Sequence, residues 1–125
     1  MIYGIGIDLC SIRRVQNIKD LNKFANKILT SGEIKHLDTL DQKNSVNYLA
    51  KQFAAKEALS KALGTGLIGD VKLNLIEIDR DQSGKPYIKM TDHMKTLLSK
   101  IGVNSTFVSL ADDSDFAVAT VILER

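Results

Sequence analysis

The sequence predicts an α+β fold in which a mainly antiparallel sheet packs against one long central helix. Three observations predict it. Strand-like segments are grouped rather than alternating strictly with helices. Residues 116–124 are rich in Ala, Val and Ile on both faces, as in a central strand or one at a subunit contact. Residues 45–63 show helical spacing of apolar side chains. At 125 residues, the chain is expected to form one domain, 1–125.

Composition excludes several classes of protein. The hydrophobic fraction of 44% and charged fraction of 26% are typical of soluble globular proteins. No apolar run approaches the ~20 residues of a membrane span, so we expect no membrane partner, and the strand-like start predicts no secretory signal. The net charge of +2 is too small to indicate nucleic acid. A single cysteine, Cys10, fits a packed thiol in the reducing cytoplasm.

The first predicted strand, residues 2–9, has one apolar and one bare face. The two faces alternate along the strand, with Tyr3, Ile5, Ile7 and Leu9 on one side and Gly4, Gly6 and Asp8 on the other. Bare glycines let a second backbone or a ligand come close, and Asp8 ends that bare face. A dinucleotide fingerprint is rejected, because Leu9 stands where the third glycine would fall.

Two short helices are predicted next. Ser11 is a plausible N-cap for a helix carrying Ile12, Val15 and Ile18, and Thr30 with Glu33 forms a capping box for another. Residues 13–27 contain five basic residues against one acid, Asp20, a local charge of +4. This basic segment indicates either an acidic partner or merely a solvated helical face.

The long helix places a carboxylate on an apolar face. Its stripe consists of Val46, Leu49, Ala50 and Phe53, and it continues to Glu57, with Lys61 one turn later. A carboxylate on a buried face costs several kcal/mol unless a cation meets it, which could be Lys61 or a metal ion. The alternative is an ordinary Glu57–Lys61 surface pair worth ~0.3–0.5 kcal/mol. Gly64 can adopt the left-handed backbone conformation that ends a helix.

The remaining segments complete the predicted sheet. Residues 71–79 are predicted as a strand, 80–85 as a turn containing Gly84, and 87–90 as the returning strand, with Pro86 at a strand start or edge. Thr91 can cap a helix that ends at Gly102. Residues 106–111 and 116–124 are predicted to form an antiparallel hairpin.

Two separated carboxylates, Asp8 and Glu57, are the candidate metal ligands. They offer oxygen only, and neither His36 nor His93 has a partner at metal-ligand spacing, so zinc is not expected. Carboxylates completed by water and phosphate oxygens suit Mg²⁺, which in such sites clamps a phosphate or diphosphate substrate. Lys61 could add a point charge to the same phosphates. The residues alone do not identify the substrate.

The chain resembles the holo-[acyl-carrier-protein] synthases, the small 4′-phosphopantetheinyl transferases. Near the N-terminus the matching pieces are residues 4–9 and 27–30 with Glu33. The block Phe-Ala-Ala-Lys-Glu-Ala at 53–58 and the block Ser-Lys-Ala-Leu-Gly-Thr-Gly at 60–66 follow, and then 84–86 and 108–112. The matches span nearly the whole chain in the right order.

The resemblance implies an activity and a set of site residues. The family transfers the phosphopantetheine arm of coenzyme A to a serine of apo acyl-carrier protein, supporting fatty acid biosynthesis, and releases adenosine 3′,5′-bisphosphate. The positions matching the family's Mg²⁺ ligands are Asp8 and Glu57. Lys61 completes the implied catalytic set, and the implied coenzyme A contacts are Lys61, Gly64, Lys85 and Pro86. Arg14 matches a basic position that receives the acidic carrier protein. The family's homotrimers share active sites between neighbours.

Two departures and two rival functions stay open. Gln52 replaces an arginine common in relatives, and Ala111-Asp112 stands where many carry a histidine. The general base is therefore a metal-bound water, which we favour, or Glu57 itself, or a group from the partner. The rival functions are another Mg²⁺-dependent phosphotransferase and a non-catalytic module that binds an acidic protein.

Overall fold

The computed structural model describes residues 1–125 and has the predicted α+β architecture. In chain order the elements are β1 (Ile2–Ser11), α1 (Ile12–Gln16), α2 (Leu21–Ile28), α3 (Ser31–Leu37), α4 (Gln42–Leu63), β2 (Ile78–Arg80), β3 (Pro86–Ile88), α5 (Asp92–Ser99), β4 (Ser105–Asp112) and β5 (Phe116–Glu124). None of the helices combines the length and apolar character needed to cross a membrane.

The strands form two separate antiparallel sheets. The larger has the order β1-β5-β4, so the last strand is central, as its apolar composition predicts. The hairpin of β4 and β5 is also confirmed. The smaller sheet contains only β2 and β3 and shares no ladder with the larger one. Interactions other than strand pairing must therefore attach the β2–β3 hairpin to the rest of the molecule.

Helix α4 packs directly on the backbone of β1. The residues of β1 that face it include Gly4 and Gly6, which lie opposite the fully buried Leu123 and Val121 of β5. A Cβ atom added to Gly6 would lie 2.7 Å from the Ala62 amide nitrogen and nearer still to the Ala58 carbonyl oxygen. The face of β1 that was predicted to be bare is therefore the surface on which the backbone of α4 packs.

The caps at Thr30, Gly64 and Thr91 are as predicted, whereas α4 begins three residues before the predicted residue 45, because Asp41 caps it. The Asp41 carboxylate accepts a hydrogen bond from the Asn44 amide at the start of α4, and Gly64 ends that helix with a φ of 80°. Thr30 and Glu33 form both hydrogen bonds of a capping box on α3. Thr91 caps α5. The predicted caps are determined locally, which is why they could be read from sequence.

Two predictions of secondary structure are wrong. The helix after Ser11 ends at Gln16, and a separate helix, α2, begins where the Asp20 carboxylate accepts from the Lys23 amide. Most of the predicted strand 71–79 is irregular, with a 3₁₀ turn at Leu73–Leu75. The Leu73 carbonyl accepts from the buried Lys56 ammonium, so it is not available to a strand ladder. Because β3 is only three residues long, β2 pairs with it over only three residues.

Candidate active site

The close contact of α4 with β1 determines where Asp8 lies. Gly4 faces Ala62 and Gly6 faces Ala58, so each two-residue step along β1 descends about one helical turn. Asp8 is the next residue on the same face, opposite the buried Ala119 of β5. Asp8 therefore sits at the level of the turn of α4 that carries Glu57.

Asp8 and Glu57 line one open cavity of about 320 Å³. Arg14 of α1 lines the same cavity, so three of the residues singled out in the sequence meet there. The rest of its wall is largely apolar, contributed by Leu9, Cys10, Ser11, Val15, Ile18, Phe24 and Phe53. The carboxylates, a guanidinium and an apolar wall are thus available to the same bound molecule.

Lys61 pairs with Asp8. Its ammonium donates to Asp8 Oδ1 at 3.1 Å and to the Ile7 carbonyl at 2.9 Å. The surface pair between Glu57 and Lys61 that the spacing allowed is not formed, because the lysine reaches across to β1. The Lys61 side chain is half exposed, so this contact orients Lys61 more than it stabilises the fold.

The charge of Asp8 affects the ionisation of Glu57. Burial raises the pKa of Glu57, and the negative charge of Asp8 raises it further, while Lys61 opposes both effects. Burial, reinforced by Asp8, also raises the pKa of the neighbouring Cys10 thiol, which therefore stays protonated at neutral pH. A cation between the two carboxylates would relieve the repulsion that raises the pKa of Glu57.

The donor set fits a hard cation. Both candidate ligands offer oxygen, the nearby thiol is protonated, and neither histidine lies in this cavity. The His36 ring packs at a tilt against Tyr48, and His93 hydrogen-bonds the Asp70 carbonyl. No group of three or more acidic, histidine or cysteine residues is arranged to hold a metal. An ion here would need water and substrate oxygens to complete its shell, which is the usual coordination of Mg²⁺.

A second, larger cavity of about 710 Å³ lies between α3, α4 and the β2–β3 hairpin. Tyr48, Lys51, Arg80 and Gly84 are among its lining residues. The predicted site residues Lys85 and Pro86 follow Gly84 at its edge, at the turn and the start of β3. The cavity does not contain Asp8 or Glu57, so the predicted site is divided between two neighbouring regions of the surface.

The Asp81 carboxylate builds the turn before β3. It accepts hydrogen bonds from the Ser83 hydroxyl at 2.6 Å, the Ser83 amide at 2.9 Å and the Lys85 amide at 3.0 Å. The Ser83 hydroxyl, followed by the Lys85 amide, lowers the pKa of Asp81 below its ordinary value. Gly84 has a φ of 87°, which the turn requires and which a residue with a Cβ rarely adopts.

A buried ion pair beneath the second cavity was missed in the sequence. The Lys56 ammonium, with no exposed surface, donates to Glu33 Oε1 at 2.5 Å and to the carbonyls of Ile28 and Leu73. Burial lowers the pKa of Lys56, and the Glu33 carboxylate partly offsets this. Removing one partner is expected to cost about 3–5 kcal/mol. The local sequence offered no signal that separates Lys56 from its neighbour Glu57, and Glu33 was recognised only as a cap.

The last predicted contact, Gly64, follows the C-terminal end of α4. Its amide donates to the Lys61 carbonyl, so it lies one turn beyond the lysine that reaches Asp8. Two of the predicted residues, Glu57 and Lys61, therefore lie on α4, and Gly64 is the C-cap that follows it. Its C-terminal end is the negative end of the helix dipole, which gives no anion site by itself.

Comparison with protein families matches residues 4–121 to the 4′-phosphopantetheinyl transferase superfamily. The chain is 42% identical to the holo-[acyl-carrier-protein] synthase of Blochmanniella pennsylvanica over 127 residues, covering 100% of both chains. It is 39% identical to the enzyme of the same name from Bacillus subtilis over 126 residues, covering 100% of this chain and 98% of that one.

Solved structures of similar proteins have the same fold. The holo-[acyl-carrier-protein] synthase from Neisseria meningitidis superposes with a TM-score of 0.92 at 39% identity, with all of both chains covered. The enzyme from Bacillus anthracis, in complex with CoA (3′,5′-ADP), superposes with a TM-score of 0.85 at 36% identity. That comparison covers 99% of this chain and 97% of the other.

Proposed function

The chain belongs to the 4′-phosphopantetheinyl transferase superfamily, and on that premise we propose that it is a holo-[acyl-carrier-protein] synthase. It transfers the 4′-phosphopantetheine moiety of coenzyme A to a serine of apo acyl-carrier protein and releases adenosine 3′,5′-bisphosphate. The observation that carries the proposal is identity near 40% over the full length to proteins of that name. One solved structure of a similar protein with that name is a complex with CoA. The meeting of Asp8, Glu57 and Lys61 at one site supports it.

Asp8 and Glu57 are the proposed ligands of Mg²⁺. Their oxygen donors, their shared cavity and the raised pKa of Glu57 support this assignment. When bound, the ion would neutralise charge on the diphosphate of coenzyme A and on the departing bisphosphate. Lys61, on the half-exposed side of Asp8, is placed to move from that carboxylate to a phosphate oxygen.

Coenzyme A is proposed to extend from the carboxylates towards the β2–β3 hairpin. Its diphosphate lies at Lys61 and Gly64 on α4, and its nucleotide lies near Lys85 and Pro86. The cavity beside Gly84 is large enough to hold a nucleotide and carries the basic side chains of Lys51 and Arg80. In this arrangement the second cavity binds the nucleotide of coenzyme A, and Asp8 and Glu57 do not line that cavity.

Arg14 is proposed to receive the acyl-carrier protein. It is exposed on α1 and lines the cavity of Asp8 and Glu57, so an acidic partner bound there would present its serine to the carboxylates. The apolar wall beside Arg14 offers contact area to the same partner. Arg13, the preceding residue, is also exposed but does not line this cavity, which makes it a matched control.

The outer face of the larger sheet is proposed to be a contact between copies of the chain in a homotrimer with shared active sites. Ile5, Ile7 and Leu9 are each about 60% exposed there. The strand register extends this apolar face, because Ile5 lies beside Ile122, which lies beside the half-exposed Phe107. Apolar surface that runs across three strands is typical of a protein interface.

A cytoplasmic location and a role in fatty acid biosynthesis complete the proposal. The free thiol of Cys10 is consistent with a reducing compartment. The role in biosynthesis follows from the acceptor, since a carrier protein becomes able to hold acyl groups only once it carries the phosphopantetheine arm.

The decisive experiment is a mass measurement. The protein is incubated with coenzyme A, Mg²⁺ and apo acyl-carrier protein, and the carrier is then weighed. The expected result is the mass gain of one phosphopantetheine arm with release of adenosine 3′,5′-bisphosphate. A different nucleotide product would favour another phosphotransferase, and no product together with no Mg²⁺-dependent binding of coenzyme A would favour a non-catalytic module.

The docking assignment has its own test. Arg14→Glu should raise the KM for carrier protein roughly tenfold while changing the KM for coenzyme A little, because the reversed charge repels an acidic partner. Arg13→Glu makes the same change of charge outside the cavity and should have a smaller effect. Equal effects of Arg14→Glu on both substrates would argue against docking at this residue.

A further inference from the structure

Besides the packing of Ile78 and Ile88 in the core, two side chains bind the backbone of the β2–β3 hairpin to the helices. Ile78 of β2 pairs with Ile88 of β3, while its own amide and carbonyl are engaged on the side facing the helices. The Ile78 amide donates to Glu33 Oε2 at 3.0 Å, and the Ile78 carbonyl accepts from Gln52 Nε2 at 3.0 Å. Glu33 and Gln52 thus occupy the place of a neighbouring strand.

The two side chains belong to a closed, buried network. Glu33 accepts from the Thr30 amide, the Lys56 ammonium, the Gln52 amide and the Ile78 amide. Glu33, Gln52 and Lys56 are all buried, and no buried side-chain polar atom in the protein lacks a partner. Networks satisfied in this way rigidify the elements that they join.

Gln52 is the member that links α4 to the hairpin directly. One amide group donates both to Glu33, at 2.5 Å, and to the hairpin backbone. Gln52 also lines the second cavity, and it lies on α4 between one and two turns before Glu57. Gln52 therefore provides a direct hydrogen-bonded link between the hairpin that bears residues 84–86 and the helix that bears Glu57 and Lys61.

We propose that Gln52 is a positioning residue for coenzyme A, holding the β2–β3 hairpin at the distance from Glu57 and Lys61 that the bound molecule must span. The inference rests on the proposed function. A ligand that contacts both the hairpin and α4 binds tightly only if their separation is already set, since ordering the hairpin on binding would reduce affinity. Carrier protein, docked at Arg14, does not depend on this separation.

The test uses Gln52→Met, which keeps the size of the side chain and removes the amide. Val46→Ala, a buried apolar truncation in the same helix, controls for general loss of stability. Both variants are assayed for kcat and for the KM of each substrate. Hydrogen exchange is followed in peptides covering residues 76–90 and 2–11.

Gln52→Met should raise the KM for coenzyme A about five- to tenfold with the KM for carrier protein within about twofold of wild type. Amide exchange should accelerate in residues 76–90 and not in residues 2–11. Val46→Ala should neither raise the KM for coenzyme A alone nor accelerate exchange in residues 76–90 alone. If Gln52→Met does not fold, Gln52→Asn, whose shorter amide cannot reach both acceptors, should show the same selective rise.

Two results would overturn the inference. Faster exchange of the hairpin with an unchanged KM for coenzyme A would show that Gln52 stabilises the hairpin without positioning the substrate. Equal rises in both KM values would assign Gln52 a general structural role. A wild-type chain without transferase activity would instead reject the proposed function, so the two failures are distinguishable.

Discussion

Adding one methyl group at Gly6 should separate α4 from β1. A Cβ at this position would lie 2.7 Å from the Ala62 amide nitrogen, whereas ordinary contacts begin at 3.4 Å. That atom alone demands a shift of 3.4 − 2.7 = 0.7 Å. The Ala58 carbonyl oxygen is nearer still, so the helix must move by about 1 Å or more. Both obstacles are backbone atoms, which cannot rotate away as a flexible side chain could.

The displacement should reduce both stability and activity. Overpacking a core typically costs 1–3 kcal/mol, and a clash between backbones should lie at or above the upper end, about 3 kcal/mol. Glu57 and Lys61 move with α4, while Asp8 stays on β1. A misplacement of about 1 Å at a catalytic site can lower the rate on the order of 10²-fold.

Gly6→Ala is compared with Gly102→Ala, a substitution at a positive φ that meets no atom closer than 3.7 Å and lies outside both cavities. The control should lose only about 1 kcal/mol through backbone strain. Urea unfolding followed by circular dichroism gives stability, and transfer of phosphopantetheine per folded molecule gives activity. A Gly6→Ala protein with wild-type stability and turnover would refute the argument that backbone contact positions the site.

Four further predictions concern the site and its surroundings. Asp8→Asn and Glu57→Gln should each lower turnover by at least about 10²-fold with the melting temperature little changed, and near-normal activity in Mg²⁺ would exclude that residue as a required ligand. Lys61→Met should raise the KM for coenzyme A while leaving that for carrier protein unchanged, and equal effects would contradict a phosphate contact. Ile7→Lys should reduce the mass measured by light scattering to that of one chain, because it buries a charge in the proposed subunit contact; an unchanged oligomer would place the contact elsewhere. The lowered pKa of Asp81 means that its contribution to the turn is present above the ordinary carboxyl pKa of 3.8 and is lost as pH falls through the lower folded value. The protection of the amides of residues 81–85, taken relative to their intrinsic exchange rates at each pH, should therefore fall there in wild type and already be low at neutral pH in Asp81→Ala, and unchanged protection in Asp81→Ala would contradict this role.

Much of the fold could be predicted because its signals are local. The end of α4 follows from Gly64, and the cap of α3 follows from Thr30 and Glu33, whereas the Asp41 cap that begins α4 was not predicted. Each of the predicted ends depends on hydrogen bonds or backbone angles within a few residues, which the sequence displays directly. The central place of β5 was also visible, since a strand that is apolar on both faces must be covered on both.

The wrong predictions involve contacts between distant segments. Residues 71–77 have the composition of a strand, but the Leu73 carbonyl is taken by Lys56, 17 residues earlier in the chain. Glu33 could be recognised as a cap, whereas its ion pair with Lys56 across 23 residues could not. Nothing in the local pattern ranks Lys56 above its neighbour Glu57 as the more deeply buried charge.

For the candidate site, the sequence by itself determined which chemical groups are available: two carboxylates, a lysine, a basic segment and a strand with two glycines. Only the tertiary structure decided that Lys61 pairs with Asp8, that Arg14 shares their cavity and that the β2–β3 hairpin is held by Glu33 and Gln52. The physical reason is the separation along the chain of the residues that interact. Caps, turns and amphipathic faces arise from neighbours in the chain, whereas the partner of a charge is chosen by whichever distant segment packs against it.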